Sequence, residues 1–335
     1  MSNPNGFPPA LLEWIERSFT CEFATVTSAG QPLTHPITPH ASVDGRTVDL
    51  ATGLAYPLKA ERARNHPKVG ILFSDPTGTG MRRAPVVFVK GEATVRDADL
   101  QANTDRYVAL SMAKFSTIGR LLPTSLHRTG TWYYARIWIH VTPLEIFVFP
   151  DGDTNQAPEV WKAAPGTHAA PSDPKPAKSR AQGGNAFEAP PDFREGLRYS
   201  LAHLGKPVLT VVDAQGFPVP TRMLDARLEG DELVLTSPRH RLAPLAGKAC
   251  VTFHMHPERF TSQENLVFVG EARETPEGAR VRIERQIGSF SLGRSLFDTA
   301  RNVLGRGKEL HRRMRMEAER RGQPVPAIRL PRDRR

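Results

Sequence analysis

Residues 24–53, ATVTSAGQPLTHPITPHASVDGRTVDLATG, and residues 209–238, LTVVDAQGFPVPTRMLDARLEGDELVLTSP, carry one pattern at two places in a chain of 335 residues. Each holds three β-rich runs broken by turn signals, AGQP and DG in the first copy, AQGFP and EGD in the second. Gly30 aligns with Gly216, and Gly45 with Gly230 after a slip of one residue. Working outward, GILF (70–73) matches CVTF (250–253) in place, VFVKGEATV (87–95) matches VFVGEARET (267–275), and FSTIGRLL (115–122) resembles FSLGRSLF (290–297). Short strands punctuated by turns predict antiparallel sheets or barrels. Several matches in the same order predict a tandem duplication of one small β-barrel unit. Between the copies, residues 157–191 are rich in Ala, Pro, Gly and Ser, and their middle lacks apolar periodicity, the composition of a linker. The expected division is a first domain at 1–150, a linker at 151–191, a second domain at 192–293 and a basic tail at 294–335.

Composition narrows the function classes. Lys and Arg total 45 against 35 Asp and Glu, a formal charge of +10 with an isoelectric point near 9.9. Residues 294–335 hold thirteen basic and five acidic residues, so the tail carries +8 of that charge and the body is nearly neutral. A general affinity of the body for nucleic acid is therefore not expected. Hydrophobic (39%) and charged (24%) fractions are those of a globular chain. The two cysteines, Cys21 and Cys250, lie far apart and exclude a disulfide scaffold or a cysteine-rich zinc site. No apolar run approaches the ~20 residues of a membrane span, and the N-terminus lacks a basic segment followed by an apolar one. A cytoplasmic location is the resulting expectation. Neither of the glycine-rich nucleotide motifs, G-x-x-x-x-G-K-[ST] or G-x-G-x-x-G, occurs.

Residues 50–75, LATGLAYPLKAERARNHPKVGILFSD, carry the clearest chemical signal. A strand ending at Thr52-Gly53 passes through a short loop into a helix expected over 57–65, with Pro57 suited to the first helical position. Lys59 then falls in the first turn, where a cation opposes the helix dipole by about 0.3–1 kcal/mol at an exposed site. A bound anion reverses that sign, because backbone N–H groups and the ammonium both face it. The Thr52 hydroxyl and the Tyr56 phenol are further candidate donors. On spacing alone two readings stay open, a phosphate cradle or a solvated surface lysine beside a strand threonine.

Elsewhere the periodicity predicts helices over 10–19, 98–112 and 194–204. It predicts strands over 22–27, 33–43, 47–51, 69–74, 85–96, 132–141 and 144–149, recurring from Val208 onward. Residues 295–321 read as an amphipathic helix with a capping-box-like Ser295/Asp298 start and an apolar stripe through Leu296, Ala300, Val303, Leu304, Leu310 and Met314. That stripe fits a helix docked on the barrels; an arm for RNA, acidic lipid or a partner is the alternative. His254-Met255-His256 places two imidazoles on one strand face, where a half-exposed strand is favoured over metal or haem ligation. Trp132, Tyr133, Tyr134 and Trp138 suit either a core or a flavin wall.

The set Thr52-Gly53, Pro57-Leu58-Lys59-Ala60, Asn65-His66-Pro67 and 69–74, flanked by AGQP, DG and VFVKGEA, resembles the pyridoxamine 5′-phosphate oxidase-like, FMN-binding split β-barrels. The resemblance covers roughly 23–148 and, more faintly, 206–277. It implies a mainly β, α+β fold of two tandem split barrels, with cofactor bound where the barrels meet in a covalent pseudo-dimer. It also implies that an FMN phosphate meets Lys59, Thr52, Gly53 and Tyr56. Basic groups on the second strand of each copy would fall near His35 and Arg222. In the second copy Pro244 stands at the lysine position, and the basic loop Arg239, His240, Arg241 either serves an anion or faces water. The Gln-x-Arg strand of true pyridoxamine phosphate oxidases is replaced by Pro85-Val86-Val87-Phe88, and their Trp–Arg–His–Arg signature is absent. The implied function is therefore an FMN-dependent oxidoreductase acting on an unknown small molecule, with pyridoxamine 5′-phosphate oxidase activity itself not expected and a deazaflavin as the related cofactor. The alternative is a haem-binding protein or a scaffold with a basic interaction tail.

Overall fold

The computed structural model describes residues 6–42, 44–114, 131–177, 192–292 and 296–329. The motif at 115–122, the end of the linker at 178–191 and the Ser295 cap lie outside the described residues.

The first half contains α1 (Pro9–Arg17), β1 (Cys21–Val26), β2 (Pro32–Ile37), β3 (Pro39–Ala41), β4 (Val48–Gly53), α2 (Leu58–Asn65), β5 (Lys68–Phe73), β6 (Val86–Arg96), α3 (Leu100–Lys114), α4 (Thr131–Tyr134), β7 (Arg136–Phe149) and β8 (Glu159–Lys162). The second half contains α5 (Phe193–His203), β9 (Val208–Val212), β10 (Pro218–Arg222), β11 (Asp225–Glu229), β12 (Glu232–Thr236), β13 (Gly247–Met255), β14 (Gln263–Thr275) and β15 (Gly278–Leu292), followed by α6 (Leu296–Arg320).

The duplication is visible in the strand order. The first sheet runs β2-β1-β5-β6-β7-β4-β3, with β8 added on β7, and the second runs β10-β9-β13-β14-β15-β12-β11. Each strand of the first finds its counterpart eight numbers later, and every pairing is antiparallel. The two edges of each sheet are joined by a very short connection, Thr38 between β2 and β3, and Met223-Leu224 between β10 and β11. So short a link between opposite edges obliges each sheet to curl, giving two half-barrels.

Residues 33–43, expected as one strand, divide at Thr38. Pro36 and Pro39 lack the N–H needed to prolong a single ladder, so the chain leaves β1 and joins β4 instead. Conversely, the two strands expected at 132–141 and 144–149 are one strand, β7, preceded by a helical turn at 131–134. Pro143 is tolerated within it because it lies at a bulge opposite Gly91. A Cβ on Gly91 would come 2.6 Å from Val141 and 2.7 Å from the Thr142 carbonyl, and one on Gly270 would come 2.0 Å from the Arg282 carbonyl. The glycines of VFVKG and VFVG thus mark one bulge in both copies. The stretch expected as linker supplies β8, and further contacts tie it to the first half: Thr94 donates to the Ala170 carbonyl (2.5 Å), and Asp173 accepts from the Asp97 N–H (2.7 Å).

The halves meet through β1, β2 and β5 on one side and β9, β10, β13 and β14 on the other. At the centre the Thr34 and Thr210 hydroxyls are 2.6 Å apart, and Thr252 donates to the Thr34 carbonyl at 2.9 Å. Leu72 and Phe88 of the first half belong to the apolar core of the second. Leu310, Met314 and Ala318 of α6 enter the core of the first, so this part of the tail helix is docked; the side chains of Leu296, Ala300, Val303 and Leu304 lie outside the described residues. No helix among the described residues is long and apolar enough to cross a membrane.

Candidate anion site at the start of the second helix

β4 ends at Gly53, where its ladder with β7 ends at Arg136. The Leu54 N–H donates to the Ala135 carbonyl (2.8 Å), the Tyr56 N–H donates to the Gly53 carbonyl (2.8 Å), and α2 begins behind Pro57. The Thr52 hydroxyl donates to the Tyr56 carbonyl at 3.1 Å. Thr52 therefore closes the turn, and its proton is engaged there rather than offered outward. The first N–H groups of α2 have no partner within the helix, as in any helix, and no side chain caps them.

Around this turn the cations gather. Lys59 is half-buried, and its pKa is pushed down to about 8, first by burial, then by the charges of Arg62 and Arg136. Arg62, one turn further along α2, donates from Nε to the Thr25 hydroxyl (2.9 Å) and is lowered to about 10 by burial. Arg136 spreads its guanidinium over the Tyr107 ring (4.0 Å) and the Tyr133 ring (4.7 Å) and donates to the Tyr107 hydroxyl (2.8 Å). A Cβ placed on Gly53 would meet Arg136 Nη1 at 3.3 Å and Tyr56 at 3.4 Å, so glycine leaves room for the guanidinium at the strand end. The Nε of Arg136 is buried without a hydrogen-bond partner. His35 is held well below its usual pKa by burial and then by Lys59 and Arg62, so it is a neutral imidazole at pH 7. Among the described residues, Lys59, Arg62 and Arg136 form no salt bridge with a carboxylate.

Five of the residues singled out from the sequence, His35, Thr52, Gly53, Tyr56 and Lys59, thus belong to one locality. Arg62 and Arg136 complete it, although neither was expected. Arg62 carried a usable signal, since it lies three residues after Lys59 and shares its helix face. Arg136 carried none, because only the register of β7 on β4 brings it to Gly53.

The two arginines expected from the second half are engaged by carboxylates. Arg222 pairs with Glu22, donates to Ser74 (3.0 Å) and to the Lys206 carbonyl (2.7 Å), and lies 3.1 Å from His254 Nε2. Glu22 and His254 are almost completely buried, 2.8 Å apart. His254 and His256 do not line a half-exposed strand as expected; both are buried, His254 against Glu22 and Arg222 and His256 between the rings of Phe19 and Phe260. Arg241 donates to Ser237 (3.0 Å), Glu274 (2.5 Å) and the Pro276 carbonyl (2.9 Å), locking the turn after β12. Trp138 is core and Tyr133 is a stacking partner of Arg136. Cys250 is a buried packing residue that accepts from the Thr34 N–H (3.4 Å), its thiol pushed up to about 11 by burial. No cluster of three or more His, Cys, Asp or Glu able to hold a metal occurs among the described residues.

The architecture defines a mainly β protein of two curled half-barrels with one cation-lined strand end. No family model matches the chain, and no curated protein matches it. Solved structures do. A conserved hypothetical protein of Mycobacterium tuberculosis is 19% identical with a TM-score of 0.34, over 45% of this chain and 90% of that one. A pyridoxamine 5′-phosphate oxidase-related, FMN-binding protein of Nostoc punctiforme is 14% identical with a TM-score of 0.28, over 42% of this chain and 79% of that one. The haem storage protein HutZ of Vibrio cholerae is 16% identical with a TM-score of 0.30, over 42% of this chain and 93% of that one.

Proposed function

We propose that this chain binds a phosphate-bearing flavin, FMN or a related deazaflavin, at the start of α2 and acts as an oxidoreductase on a small molecule. One observation carries the reading: Lys59 and Arg136 flank a helix N-terminus with Arg62 close by on the same helix, and among the described residues none of the three forms a salt bridge with a carboxylate. Half-buried cations without counter-charge are costly, and an anionic ligand removes that cost. The residues fit a phosphate group: Lys59 supplies a point charge, Arg136 a planar fork with an unpartnered Nε, and α2 its leading N–H groups.

When bound, the flavin supplies hydride or electron transfer at its ring, while the protein supplies placement and electrostatics. Lys59 and Arg136 hold the phosphate end. Thr52 fixes the loop that orients the helix start. His35, neutral beside the two cations of α2, offers a ring nitrogen to a polar edge without adding charge.

The test is a visible spectrum of the purified chain before and after FMN addition, followed by the same titration on Lys59→Ala. Flavin absorbance with tight uptake, lost in the variant, supports the reading. A colourless protein that takes up neither FMN nor a deazaflavin rejects it, and competition between the two assigns the cofactor.

A further inference from the structure

The short helix α2 shows three faces. Lys59 faces the anion site with Arg62 beside it, the latter bonded to Thr25; Ala60 and Ala63 are fully buried in the core. Glu61 and Arg64 meet the tail helix and its neighbours. Glu61 is paired with both Arg320 and Arg321 of the tail, the latter at 3.0 Å. Arg321 also binds Glu317 (2.5 Å) and Asp97 (2.8 Å), and Arg64 binds the other oxygen of Asp97 at 2.7 Å. The side chains of Arg64, Asp97, Glu317 and Arg321 are at most 3% exposed. The cluster therefore contains three carboxylates and three guanidiniums, buried and neutral as a whole.

That neutrality matters one helix diameter away. Eight residues are too few for a helix that is stable by itself, so α2 takes its order from what grips it. A charge on its back face is poorly screened, being buried rather than in solvent. We propose that Glu61, Arg320 and Arg321 are positioning residues: the docked tail neutralises the back of α2 and so sets the affinity of its front face for phosphate. This rests on the reading of the front face as a phosphate site. The basic tail, on this account, is part of the binding device of the first half.

The test uses the full chain, with FMN and riboflavin titrated by flavin fluorescence. Arg320→Ala/Arg321→Ala leaves two negative charges uncompensated behind α2, and FMN affinity is expected to fall on the order of tenfold. Riboflavin, which lacks the phosphate, is expected to change by less than about twofold. Adding Glu61→Gln to that variant restores part of the FMN affinity. Glu61→Gln alone tightens FMN by about two- to fivefold, the opposite sign to a structural lesion. Equal losses for FMN and riboflavin, or weaker FMN binding by Glu61→Gln alone, overturn the coupling. If native protein binds FMN and Lys59→Ala weakens it while the arginine variant binds normally, the coupling alone falls. If native protein binds no FMN, the phosphate reading itself falls and the coupling with it. Glu61→Gln keeps the question answerable should the double arginine variant fail to fold.

Discussion

At the end of β4 the first half turns into a helix that presents Lys59 and Arg62, with Arg136 arriving from β7. At the corresponding end of β12 the second half runs through residues 237–246 without a helix. There Thr236 pairs with Gly278, and the turn Pro276-Glu277-Gly278 stands where β7 supplies Arg136. A Cβ on Gly278 would fall 2.0 Å from the Leu235 carbonyl, so this turn is closed against its partner strand. Arg241 at this end is engaged by Ser237, Glu274 and the turn carbonyls. Both halves share strand order and bulge position, yet among the described residues Lys59, Arg62 and Arg136 of the first form no ion pair, whereas Arg241 of the second pairs with Glu274 and Arg239 faces solvent. A duplicated fold keeps its sheet because the sheet is held by many backbone bonds, whereas a strand-end loop is free to change chemistry.

The contrast is open to direct attack. The largest effect is expected at the seam: Arg222→Ala leaves Glu22 buried without its guanidinium and should cost about 3–5 kcal/mol of stability. Urea unfolding measures it; retention of full stability would show that the Arg222–Glu22 pair does not hold the seam. Next, Lys59→Ala and Arg136→Ala should weaken FMN by about 10- to 150-fold, the range for a hydrogen bond to a charged group; Lys59→Ala should do so without lowering the melting temperature of the free protein, whereas Arg136→Ala also loses its contacts with Tyr107 and Tyr133. Unchanged titrations for both would erase the distinction between the halves.

A smaller effect follows from pH. Lys59, with its pKa near 8 in the folded chain and 10.5 as its ordinary value, loses its proton as pH passes from 7 to 9. Phosphate affinity should fall over that window by up to about tenfold, and Lys59→Ala should flatten the profile. In the free protein the sign is opposite. The unfolded chain binds the extra proton between about 8 and 10.5, so Lys59 makes stability rise with pH there. The difference between native and Lys59→Ala unfolding profiles isolates it from Lys114, which is lowered to about 8 by burial. The smallest effect belongs to Arg241→Ala. Its partner Glu274 is more than a third exposed, so about 0.2–1 kcal/mol of stability is expected, with FMN affinity unchanged.

Much of this architecture was legible in one dimension. Gly30 and Gly216 both adopt positive φ, 74° and 85°, at the same turn of the two copies, and only glycine does so without cost. Turn glycines and strand alternation are local constraints, so their repetition shows in the sequence. The thirteen basic residues of the tail misled in a different way. Their spacing announced an amphipathic helix, but Arg320 and Arg321 proved to be partners of α2 rather than a solvated face or an arm. Likewise Arg222 lay close to the position expected of a phosphate ligand, and nothing nearby in sequence announced Glu22 as its partner 200 positions away.

The sequence by itself determined the duplication, the β character of both copies, the helix start that bears Lys59 and the docking of the tail helix at Leu310 and Met314. All of these follow from spacing within a few residues, where helix and strand periods are fixed by backbone geometry. Only the tertiary structure decided which cations stay uncompensated. Arg136 reaches Gly53 through antiparallel register, Arg222 meets Glu22 across the seam, and Glu61 receives the tail. Whether a buried charge is available to a ligand depends on which distant carboxylate the packing brings within reach, and the order of residues along the chain does not state that.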